Sequence, residues 1–196
     1  MSACWRIALI VLVQTVALGA ILADRALILA NGREIVLETE PVDPRDLLRG
    51  DYVILNYAAS RFDVATVAGD NTFSDREIVW VIFAGQDTRW QPTAVYHAKP
   101  DASALGADEV LVKAVVVNHY STSADGTADE CPEGCEMVIL SYGVESYFVP
   151  EGTGPVLEDA RNEKRLEVVV AVRADGRAAI KALRFDGRTF ATEGLL

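Results

Sequence analysis

The 196-residue chain is 51% apolar, carries a formal net charge of −11 and holds only two histidines, His97 and His119. That size suits one core-forming domain. The acidity would repel a phosphate backbone, and the Lys and Arg residues are scattered among acids, so nucleic acid is excluded as a partner; with so few histidines, neither a metal nor a cofactor is expected.

The chain opens on an apolar run. From Met1 to Ala23 the one charged side chain is Arg6, and Ile7 to Ala23 are apolar or small except for Gln14. About 17 such residues reach roughly 25 Å as a helix, a short but sufficient span when tilted. Residues 1–30 are therefore assigned to a cytoplasmic tip, a transmembrane anchor at residues 7–23 and an extension, and residues 31–196 to one exported domain. Trp5 suits the interface, and the N-terminal amine with Arg6 favours a cytoplasmic start. A cleaved signal peptide also fits the charged start, the apolar core and small residues such as Ala17 and Gly19. Against it stand the length of the stretch and its continuation in Ala26 to Ala30 after Asp24 and Arg25. Thr15, Gly19 and Ala23 recur every four residues, a spacing that lines small side chains along one face.

Next comes Pro41-Val42-Asp43-Pro44-Arg45-Asp46-Leu47-Leu48-Arg49-Gly50-Asp51-Tyr52-Val53-Ile54-Leu55-Asn56-Tyr57. Asp43 is a good N-cap, Pro44 suits the first helical position and Gly50 can end a helix, so Arg45 to Arg49 reads as one or two helical turns. Asp51 caps the exit, and Tyr52 to Tyr57 reads as one strand with Val53, Leu55 and Tyr57 on one face and Tyr52, Ile54 and Asn56 on the other. Asp43, Arg45, Arg49, Gly50, Asp51, Tyr52, Leu55 and Tyr57 are the candidate site: either a folding device or a docking surface.

Further strands are expected at Ile78 to Phe83, Trp90 to His97, Glu109 to Val117, Glu136 to Tyr142, Arg165 to Arg173 and Ala178 to Phe185, all rich in Val, Ile and aromatics. Asp175-Gly176 and Asp186-Gly187 read as hairpin turns, making Leu166 to Phe190 a three-stranded meander. A helix is expected from Pro155 to Lys164, entered through Thr153 or Gly154, with Val156, Leu157 and Ala160 on its apolar side. The Gly152-Thr153-Gly154 turn lacks the rest of a phosphate loop and is flanked by Glu151, Glu158 and Asp159. Cys131 and Cys135 bracket Pro-Glu-Gly and can close a small disulfide in an oxidising compartment; free thiols and metal or redox chemistry are the alternatives, and three intervening residues depart from the redox Cys-x-x-Cys pattern. No repeat or long linker divides the domain. The fold class expected is mostly β, an antiparallel barrel or sandwich with one or two short helices, behind one N-terminal transmembrane helix.

The run Gly50-Asp51-Tyr52-Val53-Ile54-Leu55-Asn56-Tyr57 resembles the signature of the GDYXXLXY family of membrane-anchored proteins, as do Pro41 to Arg45 and Glu145 to Glu158. The resemblance implies a bacterial inner-membrane protein with a periplasmic domain, accompanying a multi-pass membrane protein. A second resemblance, to bacterial signal peptidases, rests on Pro44, Gly50-Asp51 and Lys113; it lacks the nucleophile, because Pro41, Val42 and Asp43 stand where the serine should be and Ser60 is the nearest later hydroxyl. Lys113 reads as a strand lysine whose head reaches water. The expectation is a non-catalytic accessory protein, the alternative an envelope enzyme or small-ligand binder with a cleft near the motif.

Overall fold

A computed structural model of the chain describes residues 3–41, 52–86, 89–122, 135–150 and 152–192. Its first element, α1 (Ala3–Asn31), is a 29-residue helix, about 43 Å long at 1.5 Å per residue. From Cys4 through Ala23 every side chain is exposed, with no polar face to turn to water. This is one helix long and apolar enough to cross a membrane, with mean hydropathy 2.2. It runs past the expected end at Ala23, because Asp24 finds basic partners on the domain and the following turn buries Ile28 and Leu29 against Ala171 and Ala179.

Helix and sheet meet at Gly32. Its amide donates to the Ile28 carbonyl at 2.8 Å, and a Cβ there would lie 2.5 Å from that oxygen and 2.9 Å from the Val172 nitrogen. Strand β1 (Arg33–Glu40) follows directly. No strand was expected here: Ile35, Val36 and Leu37 are buried consecutively, so the alternation that marks a half-buried strand is missing.

The remaining strands are β2 (Tyr52–Ile54), β3 (Asn56–Tyr57), β4 (Arg61–Asp63), β5 (Ala68–Gly69), β6 (Ile78–Gln86), β7 (Arg89–Tyr96), β8 (Glu109–Thr122), β9 (Cys135–Ser141), β10 (Ser146–Phe148), β11 (Leu166–Val172), β12 (Ala178–Phe185) and β13 (Arg188–Thr192). They form a five-stranded sheet in the order β13-β12-β11-β1-β3 and a six-stranded sheet in the order β4-β9-β8-β6-β7-β5; a two-stranded ribbon pairs β10 with β2. Pairing is antiparallel except between β5 and β7. The two sheets curl around one core that takes Ile35 and Leu37 from β1, Val79, Val81 and Phe83 from β6, Val112 and Val116 from β8, and Val168 and Val170 from β11. Among the described residues the ladders do not join into a single closed barrel.

The mostly β class and the six longer strands appear where the sequence places them, and β11, β12 and β13 form the expected meander. At its second turn Asp186 and Gly187 both have positive φ, 48° and 74°, the geometry of a type I′ hairpin. Two expectations need correction. The single strand from Tyr52 to Tyr57 is divided at Leu55, because β2 pairs with β10 whereas β3 pairs with β1. The second helix, α2 (Gly154–Asn162), stops before Lys164, which takes a φ of 57°, and Val156 is 54% exposed while Leu157 and Ala160 are buried.

The crowding at Gly32 gives a direct test. Gly32→Ala must push apart two backbone segments and is expected to cost about 1–3 kcal/mol, the usual penalty of an overpacked site; an unchanged midpoint in chemical denaturation would show that the junction yields.

Candidate functional site

The candidate motif divides between described and undescribed residues. Asp43, Arg45, Arg49, Gly50 and Asp51, with the helical turn expected between them, lie outside the described residues. Tyr52, Leu55 and Tyr57 lie within, and the expected alternation survives the break between β2 and β3: Val53, Leu55 and Tyr57 are in the core, whereas Ile54 and Asn56 face out and Tyr52 is half-buried.

A chain that leaves one ladder and enters another has backbone groups to satisfy at the crossing. The Leu55 amide donates to the Glu145 carbonyl at 2.9 Å. The Ile54 carbonyl accepts from Nη1 of Arg161 at 2.6 Å. Arg161 comes from α2 and is only 1% exposed; its Nε and Nη2 donate to Asn162 Oδ1 at 3.2 and 3.1 Å. Burial lowers its pKa, opposed by the Glu158 carboxylate.

Two tyrosines complete the crossing. The Tyr57 hydroxyl donates to the Val144 carbonyl, and the Tyr142 hydroxyl donates to the Ala59 carbonyl at 2.5 Å. The turn between them is closed by Glu145 Oε1, which accepts from the amides of Tyr142 and Gly143 at 2.5 and 3.2 Å. Burial first, and the Glu145 charge second, raise both phenols above their usual range. They are therefore fixed neutral donors, unsuited to proton transfer near neutral pH.

The sequence reading did not single out Arg161, Tyr142 or Glu145. Arg161 had a usable signal: it follows Leu157 by four residues and adjoins Ala160, so it belongs to the buried stripe of α2.

A cleft of about 340 Å³ opens beside the end of the motif, lined by Glu38, Ala58, Ala59, Phe62, Arg89 and Trp90 among others. Arg89 Nε lies 3.2 Å from Glu38 Oε1 at its rim. Neither Tyr57 nor Lys113 lines it. Lys113 is half-buried on β8, where its amide donates to the Gly176 carbonyl at 2.8 Å. Ser60 is buried and its hydroxyl makes no hydrogen bond, so no serine–lysine dyad is assembled among the described residues.

The two histidines flank Phe73, with ring centroids 5.1 and 5.9 Å away. His97 Nδ1 meets Glu77 Oε1 at 2.6 Å; His119 Nε2 lies 3.3 Å from Glu136 Oε2 without forming a hydrogen bond. The Ser74 amide, and then His97, lower the Glu77 pKa. Among the described residues no group of three or more His, Cys, Asp or Glu is placed to hold a metal ion. At the turn before α2, the Thr153 amide and hydroxyl both donate to the Pro150 carbonyl, at 3.1 and 2.6 Å, so they are not aimed at an anion. Cys135 is disulfide-bonded and Cys4 is free and exposed; Cys131 lies outside the described residues.

A family model described as GDYXXLXY protein matches residues 14–183. No curated protein and no solved structure matches the chain.

Two measurements follow from this crossing. Arg161→Ala leaves the Ile54 carbonyl without this donor and is expected to cost about 1–3 kcal/mol; Arg161→Lys is expected to recover only part of that, because one ammonium cannot serve both Ile54 and Asn162 in the same fork. Equal stability of the two variants and wild type would remove the guanidinium from this role. A phenol held neutral by burial adds stability below its usual pKa near 10, and that stability is lost as pH rises through the elevated native value. Tyr57 and Tyr142 are thus expected to ionise only with cooperative unfolding, leaving at least two of the six tyrosines silent in a native alkaline absorbance titration.

Proposed function

The chain belongs to the GDYXXLXY family, and on that premise we propose that it is a membrane-anchored, non-catalytic accessory protein of the bacterial envelope that binds a multi-pass membrane protein. The anchor is α1, with its start in the cytoplasm and the β domain in the periplasm. Continuity of α1 supports an anchor over a cleaved leader: residues on both sides of any cleavage point near Ala23 belong to one helix, and Ile28 and Leu29 are part of the folded domain. The disulfide at Cys135, with Cys131 as its proposed partner, supports an oxidising location for the domain.

One observation carries the interaction role. The motif's inward residues are spent on the core, while the outward face of its ribbon is apolar: Phe148 is 81% exposed, Ile54 is 38% exposed, and the Tyr52 ring lies 6.0 Å from that of Phe148. Rigid aromatics in such a position are what a partner covers. Asp43, Arg45, Arg49 and Asp51, the charged residues of the motif, precede this face in sequence.

The cleft at Trp90 supports a second reading, a small-ligand binder, since its volume falls at the low end of the usual range of about 300–1,000 Å³. Under that reading, native mass spectrometry of protein extracted from membranes should find a bound small molecule that Ala59→Trp removes.

For the accessory role, extraction in mild detergent is expected to yield the protein with its N-terminal helix intact by mass and with a multi-pass partner. Phe148→Glu, Arg45→Ala or Asp51→Ala should weaken recovery of that partner without changing the melting temperature. Isolation as a clean monomer with full extraction of the membranes would overturn the proposal.

A further inference from the structure

We infer that the domain is seated directly on the phospholipid headgroups, held there by a rigid joint between the foot of α1 and the tip of the β11–β12 hairpin. The inference rests on the reading of α1 as a membrane anchor and adds what that anchor does to the domain.

Asp24 is the first charged residue after Arg6, so the hydrocarbon boundary falls next to its carboxylate. Its Oδ1 accepts from Arg173 Nη1 at 3.0 Å and its Oδ2 from Arg177 Nη1. Asp175, between them on the hairpin tip, accepts from Arg177 Nε at 2.8 Å and also from Arg173. About one turn further along α1, Ile28 and Leu29 are packed on Ala171 and Ala179. Two layers of contact, one ionic and one apolar, fix both the tilt and the rotation of the helix against the sheet. A headgroup layer is about 5–8 Å deep on each side of the hydrocarbon. Any group within hydrogen-bond reach of Asp24 therefore lies inside that layer, and the hairpin tip is such a group.

Charge distribution favours the same pose. Arg25, Arg33, Lys113, Arg173, Arg177 and Lys181 gather around this joint, against Asp24, Glu34, Asp108, Glu109 and Asp175. The joint is near neutral with a basic excess of one, so with a net charge of −11 the rest of the chain carries −12. Anionic lipids attract the first and repel the second, which orients the domain with the hairpin tip down. Successive contacts of α1 run from the tip inward, from Arg173 and Arg177 to Ala171 and Ala179, and β1 continues in that sense from Val172 to Glu167 along β11. β1 thus leads away from the bilayer, and its eight residues reach about 26 Å. β3 pairs with the last two residues of β1, Thr39 and Glu40, and the β2–β10 ribbon adjoins β3 through Leu55. A partner on that ribbon must then be met by its extramembrane part.

The test uses the full chain in lipid nanodiscs, with Cys4→Ser as background and the Cys135 disulfide kept oxidised. Single cysteines at Leu12, Ala174 and Arg188 report mid-helix, hairpin tip and far end, each carrying an environment-sensitive fluorophore. With phosphatidylcholine and phosphatidylglycerol, Leu12 is expected to be quenched by a deep acyl-chain nitroxide and Ala174 by a headgroup nitroxide, with a blue shift at Ala174; Arg188 should be quenched by neither. Replacing the mixture by phosphatidylcholine alone should reduce the quenching at Ala174, and Asp24→Ala should lose it while Leu12 is unchanged. If Leu12 is unquenched, the anchor reading itself fails. If Leu12 is quenched and Ala174 behaves like Arg188, the anchor stands and the seated pose is overturned; retention of the Ala174 signal in Asp24→Ala would overturn the joint as its cause.

Discussion

A buried arginine supports the carbonyl at which the motif changes sheets. Between Ile54 and Asn56 the chain leaves the β2–β10 ribbon and joins the end of β1, a step that interrupts the ladder and leaves backbone groups to find partners outside it. An unsatisfied buried carbonyl costs about 1–3 kcal/mol, and a buried guanidinium is tolerable only when its donors are engaged. Arg161 and Ile54 answer each other's requirement, with Asn162 taking two further donors. The tyrosine bonds from Tyr57 to Val144 and from Tyr142 to Ala59 close the same crossing from its other side. Helix α2, the turn at Gly143 and the ribbon all depend on this small set of bonds.

The same rule governs the other end of the domain. Asp24 ends the apolar stretch Ile7 to Ala23 of α1, and it is held by Arg173 and Arg177 beside Asp175. At both ends a charged group has a partner distant in sequence, joining α2 to the β2–β10 ribbon in one case and α1 to the β11–β12 hairpin in the other. The helices thereby become parts of a fixed frame, and the apolar face of Phe148 and Ile54 keeps a defined position relative to α1.

For function, the consequence is a separation of roles within one motif. Leu55 and Tyr57 belong to the core and to the crossing, where the Tyr57 hydroxyl is bonded to the Val144 carbonyl. Tyr52 and Ile54, at alternate positions on the same short segment, face the other side. A signature that looks uniform in sequence thus combines residues that build the crossing with residues that present a surface. The period of two along an extended chain makes that combination possible.

Much of this was legible in the sequence. The apolar start, the longer strands, the Asp-Gly turns and the inward set Val53, Leu55 and Tyr57 follow from periodicity and turn chemistry, which are properties of neighbouring residues. Strand β1 was not legible, because burial on two faces erases alternation; nor was the division at Leu55, because it depends on which strand each half meets. Arg161 carried a local hint in its stripe, but its acceptor lies 107 residues away, and the partners of Asp24 lie 149 and 153 residues away. Local sequence determined which segments became helix, strand and turn; tertiary structure alone decided which charges met, since pairing across such distances is fixed by the packing of the whole domain.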